Sequence, residues 1–151
     1  MRILVIDDSD LARAGMRTLL EEAGMSVFDR DSGIGSTRSI LQHDMDAIVL
    51  DLNMPGIAGD KLVGLLRDNP RLQDLVIVVV SALPWSELQE RSRHIGADWL
   101  LTKDRAHDAL VSLLKELVAK RRRPARRRSA PLFATLLEWA RHPSLAPLER
   151  T

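Results

Sequence analysis

Four places in the sequence carry side chains suited to a single reaction. They are the adjacent carboxylates Asp7 and Asp8, the carboxylate of Asp51, the hydroxyl of Ser81 and the amine of Lys103. Each closes or follows a short apolar run. The clearest are Leu75-Val76-Ile77-Val78-Val79-Val80 ahead of Ser81 and Ile48-Val49-Leu50 ahead of Asp51. Carboxylates brought close together repel and raise one another's pKa unless a cation lies among them. Hard oxygen donors of this kind favour Mg2+, which keeps several waters and takes only a few carboxylates. A lysine and a hydroxyl are what a transferred phosphoryl group needs beside such an ion. The set therefore suggests covalent acceptance of a phosphoryl group by Asp51, with Mg2+ offsetting the charge. Taken singly, each residue also has an ordinary reading. Asp7-Asp8 and Ser81 can cap the helices that follow them, and Lys103 can be a solvated cation.

The chemistry requires that the four places share one edge of the molecule, and the hydropathy pattern supplies it. Apolar runs predict strands over residues 2–6, 26–30, 47–51, 75–80 and 98–101. Between them lie five helical stretches. The first follows a candidate cap at Ser9 and carries Leu11, Ala12, Met16, Leu19, Leu20 and Ala23 up to Gly24. The second opens at Ser32-Gly33 and runs to about His43. The third holds Leu62, Val63, Leu65 and Leu66 and breaks at Asn69-Pro70. The fourth has Pro84 in its first turn or just before it and runs to Ile95, with Gly96 as its stop, and the fifth runs from Ala106 to about Ala119. Strand and helix alternate five times, which predicts an α/β fold: a doubly wound, five-stranded parallel sheet with right-handed crossovers. In such a sheet every strand ends on the same edge, where ligands bind.

The 151 residues suffice for one ordinary domain plus an appendage. At 45% hydrophobic and 3% aromatic, the core must be aliphatic, and the absence of cysteine excludes disulfides and thiolate metal sites. The opening apolar run is too short for a signal peptide or membrane helix, so a cytoplasmic protein is expected. The net charge of +1 conceals an asymmetry. Through Ala119 there are 13 Lys/Arg against 19 Asp/Glu, a net of −6; from Lys120 onward there are 9 against 2, a net of +7.

Residues 1 to about 119 resemble the receiver domain of two-component response regulators. The resemblance rests on Asp7-Asp8, on Asp51 followed by Asn53-Met54-Pro55-Gly56, on Ser81-Ala82, and on Gly96-Ala97 seven residues ahead of Lys103, with matching intervals between them. It implies strand order 2-1-3-4-5 and phosphotransfer from a histidine kinase. By position, Asp51 is the phospho-acceptor. Asp7, Asp8 (directly), Asp51 and the backbone carbonyl of Asn53 hold Mg2+. Ser81 reads the phosphoryl group, and Lys103 pairs with it. The product is a regulator with at most slow autodephosphorylation, acting as monomer or homodimer on a downstream protein target. Two positions depart from the family. Asp104 stands where proline usually follows the lysine, so a trans bond and an altered loop are expected. Leu100 stands at the switch aromatic's position, with Trp99 directed to the opposite face. The usual coupling of Ser81 to an aromatic rotamer is therefore missing, and Trp85 is one candidate for another route.

The tail divides into an arginine-rich linker, residues 120–130, and a segment over 131–151. Arg121, Arg122, Arg123, Arg126, Arg127 and Arg128 form the candidate anion-binding set. Beyond it Leu132, Phe133, Leu136, Leu137 and Ala140 fall on one helical stripe, behind Pro131 at the first helical position. No classical DNA-binding domain fits in so few residues, which argues against sequence-specific DNA binding. Four readings of the arginines stand: a solvated linker, a nonspecific polyanion binder, a contact with anionic lipid, and a site for a guanine nucleotide. A subgroup of single-domain receivers with arginine-rich extensions binds cyclic di-GMP, and this chain is similar to it in layout.

Overall fold

The structure is a computed structural model that describes residues 1–122. Its strands are β1 (Arg2–Ile6), β2 (Ser26–Arg30), β3 (Ala47–Leu50), β4 (Val76–Ser81) and β5 (Trp99–Thr102). Its helices are α1 (Asp10–Glu22), α2 (Ser36–His43), α3 (Gly59–Arg67), α4 (Trp85–Ser92) and α5 (Lys103–Arg122), with a 3-10 turn at Pro70–Leu72. All strand pairs are parallel, in the order β2-β1-β3-β4-β5 that the resemblance to receiver domains implied.

Alternation along the strands sorts the core into two layers. Ile3, Val5, Val49, Val76, Val78 and Val80 face α1 and α5, where Met16, Leu20, Leu110, Leu114 and Val118 complete the layer. Leu4, Ile6, Ile48, Leu50, Ile77 and Val79 face the other way, against Ile40, Leu62, Val63, Leu66 and Leu88. Burial on both faces is why β1, β3 and β4 read as unbroken apolar runs.

Several helix ends differ from expectation, each for a local reason. α2 starts at Ser36 because Ser32 Oγ accepts from the Ile34 N–H at 3.1 Å and Gly35 takes a φ of 75°, which makes Ser32-Gly33 a turn. α4 ends at Ser92, three residues short of Ile95. α5 begins at Lys103, directly after β5. Proline at position 104 would push Lys103 out of helical conformation. With Asp104 there the helix continues back to the strand, and every described peptide bond is trans. Asp104 sits in the helix's first turn, and a hydrogen bond with the Thr102 side chain holds its carboxyl below the usual range.

The far end of α5 passes Ala119 and reaches Arg122. Lys120 pairs with Glu116 at 2.5 Å, one turn back. Arg121 donates to the Gln73 carbonyl at 2.6 Å and pairs with Asp98. Asp98 also pairs with Arg67 at 2.7 Å and accepts the Ile77 N–H at 2.8 Å. One carboxylate thus ties the amino edge of β4, the end of α3 and the end of α5 together.

Candidate metal and phosphoryl-acceptor site

The site forms where β1, β3, β4 and β5 end. Asp7 follows β1, and Asp51 follows β3 with its N–H still in the ladder, donating to the Ile6 carbonyl at 3.0 Å. Gly59 opens α3 right behind Asp51: a Cβ there would lie 2.5 Å from the Asp51 carbonyl oxygen and 2.8 Å from Leu52 Cα. Only glycine lets α3 start so close to the strand end.

Lys103 Nζ reaches across from the first residue of α5. It lies 2.9 Å from Asp51 Oδ2 and 2.7 Å from Asp7 Oδ2. Asp7 is fully buried and Asp51 is 5% exposed. Burial, the largest single influence, lowers the pKa of the Lys103 ammonium. Asp7 and Asp51, both close enough to pair with it, together outweigh it and hold the pKa above the ordinary lysine value. The remaining oxygens are fixed by main chain: Asp7 Oδ1 accepts the Ser9 N–H at 2.8 Å, and Asp51 Oδ1 accepts the Asn53 N–H at 3.1 Å.

These donors fit a small, hard dication. One carboxylate oxygen each from Asp7, Asp8 and Asp51 lies within 4.8 Å of the others. Asp8 is exposed, which leaves an open side for water ligands. Asp7 Oδ2 is buried without a well-directed hydrogen bond, although Lys103 Nζ stands close. The distance makes that contact an ion pair, because Coulomb attraction does not depend on the angle, and it leaves an oxygen lone pair free for a metal.

The other expected residues lie at the same edge. Ser81 ends β4, fully buried, and its Oγ accepts the Leu83 N–H at 3.4 Å. Asn53 reaches the site through its main chain. Its side-chain Oδ1 accepts from Arg91 Nη1 of α4 at 2.5 Å. Arg91 was not among the expected residues: it stands 38 positions away on a polar helix surface, and nothing in the sequence pairs it with Asn53. Leu100 packs with the layer beneath α3 and α4, whereas Trp99 and Trp85 are each 51% exposed. Of the arginines named for anion binding, Arg121 is engaged by Asp98 and Gln73. The side chains of Arg122, Arg123, Arg126, Arg127 and Arg128, and the helical stripe over 131–141, lie outside the described residues.

A doubly wound parallel sheet with a lysine-bridged carboxylate cluster at its strand ends is the layout that the resemblance to receiver domains implied. The response regulator receiver domain model matches residues 3–115, and the chain belongs to that family. It is similar to protein PilG of Pseudomonas aeruginosa, at 25% identity over 115 residues, covering 76% of this chain and 85% of PilG. A gliding motility regulatory protein of Myxococcus xanthus is 30% identical over 103 residues, which is 68% of this chain but 13% of that much longer protein. Among solved structures, the response regulator TrrA of Thermotoga maritima, in complex with Mg(2+)-BeF, superposes with a TM-score of 0.65 at 28% identity, covering 77% of this chain and 97% of TrrA. No described helix is long and apolar enough to cross a membrane.

Proposed function

We propose that this protein takes a phosphoryl group onto Asp51 from a histidine kinase and signals by a phosphorylation-dependent protein–protein contact. The observation that carries this reading is the ion-paired triad Asp7–Lys103–Asp51 at the strand ends. An Asp51 oxygen attacks phosphorus. The P–O bond forms as the P–N bond to the donor imidazole breaks, and the nitrogen that leaves takes up a proton. Lys103 follows the charge onto the phosphoryl oxygens, and the Ser81 hydroxyl turns from Leu83 to donate to one of them. Asp7, Asp8, Asp51 and the Asn53 carbonyl are the residues that would hold Mg2+, which supplies the counter-charge for a dianion arriving among three carboxylates. That the similar regulator TrrA was solved in complex with Mg(2+)-BeF supports Mg2+ as the cation.

The test is incubation with acetyl phosphate and Mg2+, read by intact mass. The wild type gains one phosphoryl group, and Asp51→Asn or removal of Mg2+ with chelator abolishes the gain. An unmodified wild type sinks the reading. The arginine-rich tail is, in this proposal, a localising or ligand-binding element attached to the receiver.

A further inference from the structure

We propose that Arg91 is a positioning residue of the phosphorylation site and reports the state of Asp51 to α4. The proposal rests on the reading that Asp51 is phosphorylated. Its starting point is an unneutralised charge. Arg91 makes no ion pair among the described residues, although Glu87 stands one turn back on the same helix. Its side chain instead crosses to the neutral amide oxygen of Asn53 at the lip of the site. Asn53 in turn donates its backbone N–H to Asp51 Oδ1. A continuous chain of two hydrogen bonds therefore joins Asp51 to α4.

The far end of that chain is easily moved. α4 has eight residues and buries only Leu88 and Ser92. Its cap position is Pro84, with no side-chain hydrogen bond to the helix end, and Ser92 Oγ is buried without a partner. A helix with one buried apolar anchor sits at the low end of local stability. Elsewhere in the family-like layout the position for an aromatic reporter is Leu100, which has no polar tip to follow a hydroxyl. Arg91 needs no such aromatic.

Phosphorylation places anionic oxygens beside Asn53. A guanidinium has five N–H donors, and Arg91 uses one here on a neutral acceptor. A charge-assisted bond is roughly twice as strong as a neutral one. Arg91 is thereby drawn from Asn53 toward the phosphoryl group and carries α4 with it.

The test uses the full chain with beryllofluoride and Mg2+ as the phosphoryl mimic. Binding is read by calorimetry and α4 by amide exchange over residues 85–92. In the wild type, beryllofluoride changes exchange in α4 where Mg2+ alone does not. Arg91→Ala lowers beryllofluoride affinity about tenfold and removes the α4 response. Arg91→Lys recovers part of both. Equal affinity and an equal α4 response in wild type and Arg91→Ala overturn the role of Arg91 alone. A wild type that binds no beryllofluoride overturns the phospho-acceptor reading and this inference with it.

Discussion

At the scale of single residues, Lys103 decides how three carboxylates coexist. Its ammonium lies between Asp7 and Asp51, and removing it leaves two buried carboxylates facing each other. Breaking such a pair costs about 3 kcal/mol. We expect Lys103→Met to lose about that much stability in chelator and to regain most of it in millimolar Mg2+, whereas the wild type gains less from the metal. Urea denaturation with and without Mg2+ measures both. The pH dependence follows from the raised pKa of Lys103. A raised folded-state value means that the contribution is complete below the unfolded value, about 10.4, and is lost as pH climbs through the folded one. The stability gap between wild type and Lys103→Met, measured without metal, should hold steady from neutral pH to about 10 and shrink above it. A gap that closes below pH 9 would show that Lys103 is not the cation that holds this site.

At the scale of elements, the site depends on how closely α3 meets β3. A methyl group on Gly59 would overlap the Asp51 carbonyl oxygen and Leu52 Cα. Gly59→Ala should cost about 2–3 kcal/mol and weaken beryllofluoride binding by displacing the Asp51 loop, whereas Gly64→Ala, with open space around it, should do neither. Denaturation and calorimetry on the pair make the comparison. The strand ends were legible in sequence because a doubly covered strand is an unbroken apolar run, and the first polar residue after it marks the edge. Asp7, Asp51 and Ser81 all announce themselves that way, whereas Lys103 stands one residue beyond the first polar residue, Thr102. Helix ends were less legible, because their causes are local and small: Ser32 folding onto Ile34, or the missing proline that lets α5 begin at Lys103. The partners of surface arginines were not legible at all. Arg91 and Arg121 reach Asn53 and Asp98 across the fold, and no periodicity encodes those pairings.

At the scale of the whole molecule, the first arginine of the basic run is bound into the receiver body. The six arginines from Arg121 to Arg128 look alike in sequence, yet Arg121 belongs to the body: it closes the Asp98 cluster and its side chain is one-third exposed. Its charge is already offset by a carboxylate that also serves Arg67 and the Ile77 N–H. The run that follows carries the excess positive charge of the chain, against a body of net −6 through Ala119. Two substitutions should therefore part company. Arg121→Gln should lower the melting temperature by several degrees, as loss of about 1–2 kcal/mol does in a domain of this size, and leave binding to anionic vesicles or cyclic di-GMP unaltered. Glutamine at Arg122, Arg123, Arg126, Arg127 and Arg128 together should leave the melting temperature in place and abolish whatever anion binding the full chain shows. Any such binding should weaken steeply with salt, because each phosphate neutralised releases a counterion. Thermal denaturation and calorimetry at two salt concentrations test the division. An Arg121→Gln variant that keeps its stability and loses anion binding would return that residue to the tail.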